Sequence, residues 1–196
     1  MDLQELEIYR ITKPKYGFES PPLHSVSSIK NRFSLHDEGI IYCAGNPKTA
    51  LREVLQVFYS RKSKDPVLLS PSWRDKHVIL KGVVTLCDGD IIDIEAPEYR
   101  RELDLYLSDL LDKFSIPHVD TSTLRGSYRE VTQAISEWVF NLKKGAGILY
   151  RSKYESNGIC YALFSSRVRV KLLDSRNLNG DLEELKDICD EFNLSI

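Results

Sequence analysis

The sequence predicts an α+β fold in a single domain spanning residues 1–196. Three observations carry this reading. Short segments of strand length, apolar or alternating, dominate the chain. Helical segments interrupt them irregularly, which favours α+β over a doubly wound sheet. Neither a glycine-rich dinucleotide fingerprint after a strand nor a Gly-x-x-x-x-Gly-Lys-Ser/Thr loop occurs, so any nucleotide site must be built differently.

The elements follow in chain order. Leu6 to Ile11 alternates and predicts a strand. Residues 14–34 are loop-like, with Pro21-Pro22 and several serines. Gly39 to Ala44 is apolar and β-branched and predicts a buried strand. Asn46-Pro47 starts a helix, since Asn caps and Pro fits the first turn. That helix carries Ala50, Leu51, Val54, Leu55 and Phe58 as one apolar stripe. Ser60 to Lys76 is polar and broken by proline. Val78 to Leu86 and Ile91 to Ile94 predict two strands separated by a turn at Asp88-Gly89.

Pro97 to Leu111 predicts one helix. Ser127 and Glu130 have the spacing of a capping box. The helix they open carries Val131, Ala134, Ile135, Trp138 and Leu142 on one face, and Gly145 is placed to end it. Trp138 falls on that stripe as a core residue. Ile148 to Arg151 and Ile159 to Ser165 predict two strands around an Asn157-Gly158 turn. Val168, Val170 and Leu172 alternate with basic residues, as in a half-exposed edge strand. Asp181 to Phe192 predicts a last helix with Leu182, Leu185, Ile188 and Phe192 on one side.

Bulk properties exclude several function classes. The chain has 196 residues, 42% hydrophobic and 29% charged, enough for a real core without metals or disulfides. A net charge of −2 disfavours a nucleic-acid or anionic-membrane surface, and no convincing helix-turn-helix supports DNA binding. No stretch has the apolar length of a membrane span. Met1 to Arg10 carries Asp2, Glu5 and Glu7, so no secretory signal is expected. The four cysteines form no Cys-x-x-Cys pair, and His24, His36, His77 and His118 are scattered, so no metal site is expected. Buried, reduced thiols in a cytoplasmic protein are the expectation.

Four polar positions stand apart. Arg32 follows a loop, Tyr42 lies in a buried-looking strand, Glu53 sits on the next helix, and Ser152 ends a strand. At about 100° per residue Glu53 falls beside the apolar stripe, where it can face a cleft next to the core. A solvent-facing glutamate meets the same pattern. Tyr42 reads equally as a core tyrosine, Ser152 as a turn serine, Gln133 as a solvated helix residue and Arg10 as a surface ion-pair arginine.

Arg32-Phe33, then Gly39-Ile40-Ile41-Tyr42-Cys43-Ala44, then Thr49-Ala50-Leu51-Arg52-Glu53-Val54-Leu55 resembles the RES-domain signature. Thr132-Gln133, Gly147-Ile148-Leu149-Tyr150-Arg151-Ser152 and Cys160-Tyr161-Ala162-Leu163-Phe164 resemble its later part, and Ile8-Tyr9-Arg10-Ile11 its first strand. The likeness runs from about Tyr9 to Phe164, with no matching motif in residues 65–120. The family's arginine, glutamate and serine map to Arg32, Glu53 and Ser152, with Ser156 a second candidate for the serine.

This resemblance implies a fold like the catalytic core of ADP-ribosyltransferase toxins, with a short-stranded mixed β core flanked by helices. It also implies the toxin of a toxin–antitoxin pair, held by an Xre-type helix-turn-helix antitoxin. The implied substrate is NAD, consumed rather than kept as a cofactor, with water or inorganic phosphate as the second reactant. Glu53, Arg32 and Tyr42 become catalytic candidates, and Arg10, Arg32, Tyr42, Ser152 and Gln133 candidates for holding NAD. A protein mono-ADP-ribosyltransferase and a non-catalytic NAD-binding module use the same residues and stay open. The last helix is a candidate antitoxin surface if its apolar face is exposed, and a core helix if not.

Overall fold

The structure, a computed structural model, describes residues 5–19, 31–59, 65–125, 128–179 and 181–196. Its frame is a mixed seven-stranded sheet in the order β5-β6-β7-β2-β1-β4-β8. The strands are β1 (Leu6–Thr12), β2 (Ile40–Ala44), β4 (Val78–Leu86), β5 (Ile91–Asp93), β6 (Gly147–Arg151), β7 (Ile159–Phe164) and β8 (Val168–Asn177). All neighbours run antiparallel except β5 and β6, which are parallel. β3 (Val67–Leu68) and β9 (Leu194–Ser195) form a separate parallel pair. The helices are α1 (Pro47–Leu55), α2 (Pro71–Arg74), α3 (Pro97–Tyr106), α4 (Ser108–Lys113), α5 (Thr121–Arg125), α6 (Arg129–Glu137) and α7 (Glu183–Glu191). Mixed sheet and flanking helices make this the expected α+β fold.

Strand alternation divides the core between two sheet faces. On one face Ile40, Ala44, Ile148, Ala162 and Phe164 pack with α3, α4 and α6. Beside them Leu51 and Leu55 of α1 meet Ile79 and the α7 residues Leu185, Ile188 and Cys189. On the opposite face Ile8, Ile41, Cys43, Val84 and Leu163 pack under Phe18. Gly82 is the residue that lets Phe18 lie flat there: a Cβ would stand 2.7 Å from its ring.

Several expectations need correction. The strands expected on either side of Asp88-Gly89 are present, with Gly89 at φ 74° between them, and they are not neighbours in the sheet. The chain crosses to the far edge, where Asp90 O accepts from Ala146 N at 2.7 Å and β5 joins β6. The single helix expected over Pro97–Leu111 breaks at Leu107, whose φ of −100° and ψ of 7° leave the helical basin. α6 continues into a π-helical turn, Trp138–Leu142, which rotates Leu142 out of the stripe and leaves it 61% exposed. Lys144, not Gly145, adopts the left-handed conformation after it, at φ 53°. Gly145 is instead a close-packing glycine, where a Cβ would stand 2.7 Å from Val139. Ser127 of the expected capping box lies outside the described residues, and the Glu130 carboxylate pairs with Lys113 at 2.5 Å.

Trp138 is buried as expected. β8 is an edge strand, longer than its alternating stretch suggested. Leu182, Leu185, Ile188 and Phe192 are all buried, so the last helix is a core helix and its apolar face is not an open surface. Cys43, Cys160 and Cys189 are buried free thiols, whereas Cys87 is exposed. Among the described residues no helix is long and apolar enough to cross a membrane.

Candidate functional site

The sheet is parted at its centre. β1 pairs with β4 through seven residues and β2 with β7 through five, but β1 and β2 meet only at Tyr9 and Ala44. A cavity of about 300 Å³ occupies this parting. Tyr9, Arg10 and Ile11 border it from β1, Tyr42, Cys43 and Ala44 from β2, and Ala50, Glu53 and Val54 from α1. Tyr150 and Cys160 complete the wall.

Local chemistry aims Glu53 at this opening. Asn46 caps α1 by accepting from Thr49 N at 2.8 Å, and Pro47 fills the first turn. Thr49, Ala50, Leu51 and Leu55 are buried, which fixes the roll of the helix. Glu53 therefore sits half-buried beside the stripe, as its phase predicted. Ser152, wholly buried just after β6, donates from Oγ to Glu53 Oε1 at 2.6 Å. Because Tyr154 N donates to the same Oγ at 3.0 Å, the single serine proton is directed to the carboxylate. Ser156 is exposed, so Ser152 is the serine that meets Glu53.

Arg32 approaches the same wall. Its guanidinium lies 5.7 Å from the Tyr150 ring centroid. Its position comes from its neighbour: Phe33 is fully buried and tilts against Tyr150 with centroids 5.0 Å apart. Burying such a ring contributes about 1.5–3 kcal/mol, and the aromatic pair adds about 0.5–1.5 kcal/mol. Phe33 N donates to Tyr42 Oη at 2.9 Å, and Ser136 Oγ donates to Phe33 O at 3.0 Å. No carboxylate among the described residues forms an ion pair with Arg32.

Titrating groups in and beside the wall register both charges. Burial first, then Glu53, raises the Tyr154 phenol, while Arg32 lowers it. The buried Cys160 thiol is likewise pushed up by burial first and then by Glu53, with Arg32 opposing. Burial drives Tyr42 to about 12, against the Phe33 N–H, Arg32, Ser34 and Arg129, which pull it down. At neutral pH Tyr42 is therefore a phenol that accepts from the backbone, not a phenolate.

Glu53, Ser152, Tyr42 and Arg32 thus come together, whereas Arg10 and Gln133 are placed differently. Arg10 borders the cavity, but strand parity sends its side chain to the sheet face of Ile8 and Cys43, away from Tyr42. There its guanidinium donates to Glu19 O at 3.0 Å. Gln133 Nε2 donates to Asn31 O at 3.3 Å, which ties α6 to the loop carrying Arg32. Tyr9, Tyr150, Tyr154 and Arg129 are not among the candidates that the sequence singles out. Tyr150 carried a signal, sitting on β6 two residues before Ser152; Tyr154 carried none.

The site thus combines a carboxylate held by a serine hydroxyl with a guanidinium that lies over an aromatic ring of the same cavity. The RES domain family matches residues 7–179, and the chain belongs to that family. The match includes residues 65–120, where no motif was visible. A comparison with curated proteins finds no match. Among solved structures, a chain of the M. tuberculosis MbcT–MbcA toxin–antitoxin complex is similar at a TM-score of 0.61 and 14% identity. That likeness covers 96% of this chain and 89% of the other.

Proposed function

We propose that this protein cleaves the nicotinamide–ribose bond of NAD, as the toxin of a toxin–antitoxin pair. The observation that carries the reading is the Ser152–Glu53 pair beside a cavity whose Tyr150 wall is overlain by the Arg32 guanidinium. Departure of nicotinamide leaves a positively charged, oxocarbenium-like ribose. Glu53 faces that charge and stabilises it electrostatically. Ser152 holds one carboxylate oxygen, which leaves the other for a ribose hydroxyl or the incoming nucleophile. Arg32 supplies a planar fork for the pyrophosphate, and the Tyr42 and Tyr150 rings bound the pocket. A volume of about 300 Å³ suits one end of the dinucleotide, with the remainder across the mouth.

Hydrolysis converts NAD and water to ADP-ribose, nicotinamide and a proton. Phosphorolysis converts NAD and inorganic phosphate to ADP-ribose 1″-phosphate and nicotinamide. NAD is substrate in both, and no resident cofactor enters. The reading places the protein in the cytoplasm, where NAD is abundant, restrained by an Xre-type antitoxin. The toxin–antitoxin assembly of the similar M. tuberculosis structure supports a protein partner.

The test is product analysis after incubating purified protein with NAD, with and without phosphate. ADP-ribose identifies hydrolysis, a phosphate-dependent product identifies phosphorolysis, and label retained on protein identifies transfer to a side chain. Glu53→Gln keeps size and removes charge, so turnover should fall at least about 100-fold while NAD still binds. Full turnover by that variant removes Glu53 from the mechanism.

A further inference from the structure

The turn after β6 is fastened to α1 by more than the Ser152–Glu53 bond. Thr49 and Glu53 lie four residues apart, and Arg52 three residues after Thr49, so one side of α1 presents all three to this turn. Glu155 divides its carboxylate between two of them. One oxygen accepts from Thr49 Oγ1, and the other meets Arg52 Nη1 at 3.0 Å. Arg52 is itself immobilised, with Nε and Nη2 on Glu191 of α7 at 2.6 to 3.1 Å. Its side chain is only 16% exposed, so the ion pair is partly shielded from water.

The backbone completes the connection. Gly158 N donates to Glu155 O at 3.1 Å, and Ser152 N donates to Gly158 O at 2.7 Å. A Cβ at Gly158 would lie 2.8 Å from Glu155 Oε2 and 3.0 Å from Ser152 Cβ, so Glu155 and Ser152 pack on one point. We propose that Glu155 is a positioning residue: it holds the 152–158 turn against α1 and so keeps the Ser152 hydroxyl on Glu53. This rests on the NAD-cleaving reading for its consequence, but not for its geometry.

The experiment compares wild type, Glu155→Gln, Ser152→Ala and the double variant for NAD turnover. Glu155→Gln should lower kcat about tenfold, the scale on which a displaced catalytic group is felt, and leave KM within about twofold. It should add no further loss once Ser152 is alanine, because it acts through that hydroxyl. Losses that multiply, or full activity of Glu155→Gln, overturn the proposal. Thr49→Val breaks one leg of the clamp with almost no change of shape and should repeat the pattern at smaller amplitude, which covers failure of Glu155→Gln to fold. Amide exchange at Tyr154, whose N–H is held by Ser152 Oγ, reads the turn without any substrate. It should quicken in both clamp variants, and unchanged exchange overturns the proposal. If wild type leaves NAD intact, the NAD-cleaving reading fails by itself and the exchange data alone judge the clamp.

Discussion

Two short segments bring polar groups to residues of the cavity wall, Ser152 to Glu53 and Arg32 to Tyr150, and they are held by different forces. Residues 31–34, which carry Arg32, are anchored by neutral contacts: the buried Phe33 ring, the Tyr42 phenol, the Ser136 hydroxyl and the Gln133 amide. Residues 152–158, which carry Ser152 and Tyr154, are anchored through the Glu155 carboxylate and the Arg52 guanidinium. The difference teaches where charge has been kept available. An ionic anchor beside Arg32 would neutralise the cation that an anionic substrate needs. Beside Ser152 the functional group is a neutral hydroxyl, so a charged anchor one turn away takes nothing from it.

The comparison can be broken at three places. The largest effect is expected from Arg32→Ala. Hydrogen bonds to charged groups are worth about 1.5–3 kcal/mol, so NAD should bind roughly 10- to 100-fold more weakly. Calorimetry reads this, and unchanged affinity would remove Arg32 from the binding site. Chemical denaturation should show stability nearly unchanged, because the anchor is Phe33 and not the guanidinium.

Tyr42→Phe is expected next. It deprives the Phe33 N–H of its acceptor and should cost about 1–3 kcal/mol in denaturant unfolding. It should also alter the alkaline limb. Burial raises Tyr42 from 10 to about 12 in the folded protein, so the unfolded chain loses this proton first as pH rises. Its contribution is complete below pH 10 and disappears towards pH 12, with the negative slope that linkage requires. The phenylalanine variant should lack that part of the decline, and an identical alkaline profile would contradict the buried phenol.

The smallest effect is that of salt. Partly exposed ion pairs contribute about 0.2–1 kcal/mol and are screened. Raising ionic strength should therefore speed amide exchange in residues 152–158 more than in residues 31–34. Equal responses would mean that both segments are held by the same kind of force.

Much of the fold was legible because periodicity is local. β1, β2, β7 and α1 fall where alternation, β-branching and the Asn46-Pro47 start place them. What escaped was set by distant partners. β5 has an ordinary strand pattern, yet nothing in Ile91–Asp93 says that it pairs in parallel with Gly147–Leu149. Leu142 carried the right phase until a π-helical turn changed the phase. In the site, the angle of Glu53 beside the apolar stripe fitted a cleft-facing and a solvent-facing glutamate alike, and Glu53 and Ser152 were both singled out by the family resemblance. Arg10 sat on the expected strand, but which face of β1 meets the cavity depends on its neighbours in the sheet. Glu155 looked like any polar turn residue, because its partners Thr49 and Arg52 lie more than 100 positions away.

The late arrival of β7 has a consequence for synthesis. β2 shares one residue pair with β1 and five with β7, so during translation it has almost nothing to pair with until Ile159–Phe164 has left the ribosome. Ser152, which meets Glu53, lies 99 positions further along the chain. A nascent chain halted before that point holds the cavity's carboxylate without its hydroxyl partner. The carboxylate–hydroxyl pair of the cavity is thus assembled only once most of the chain has been made.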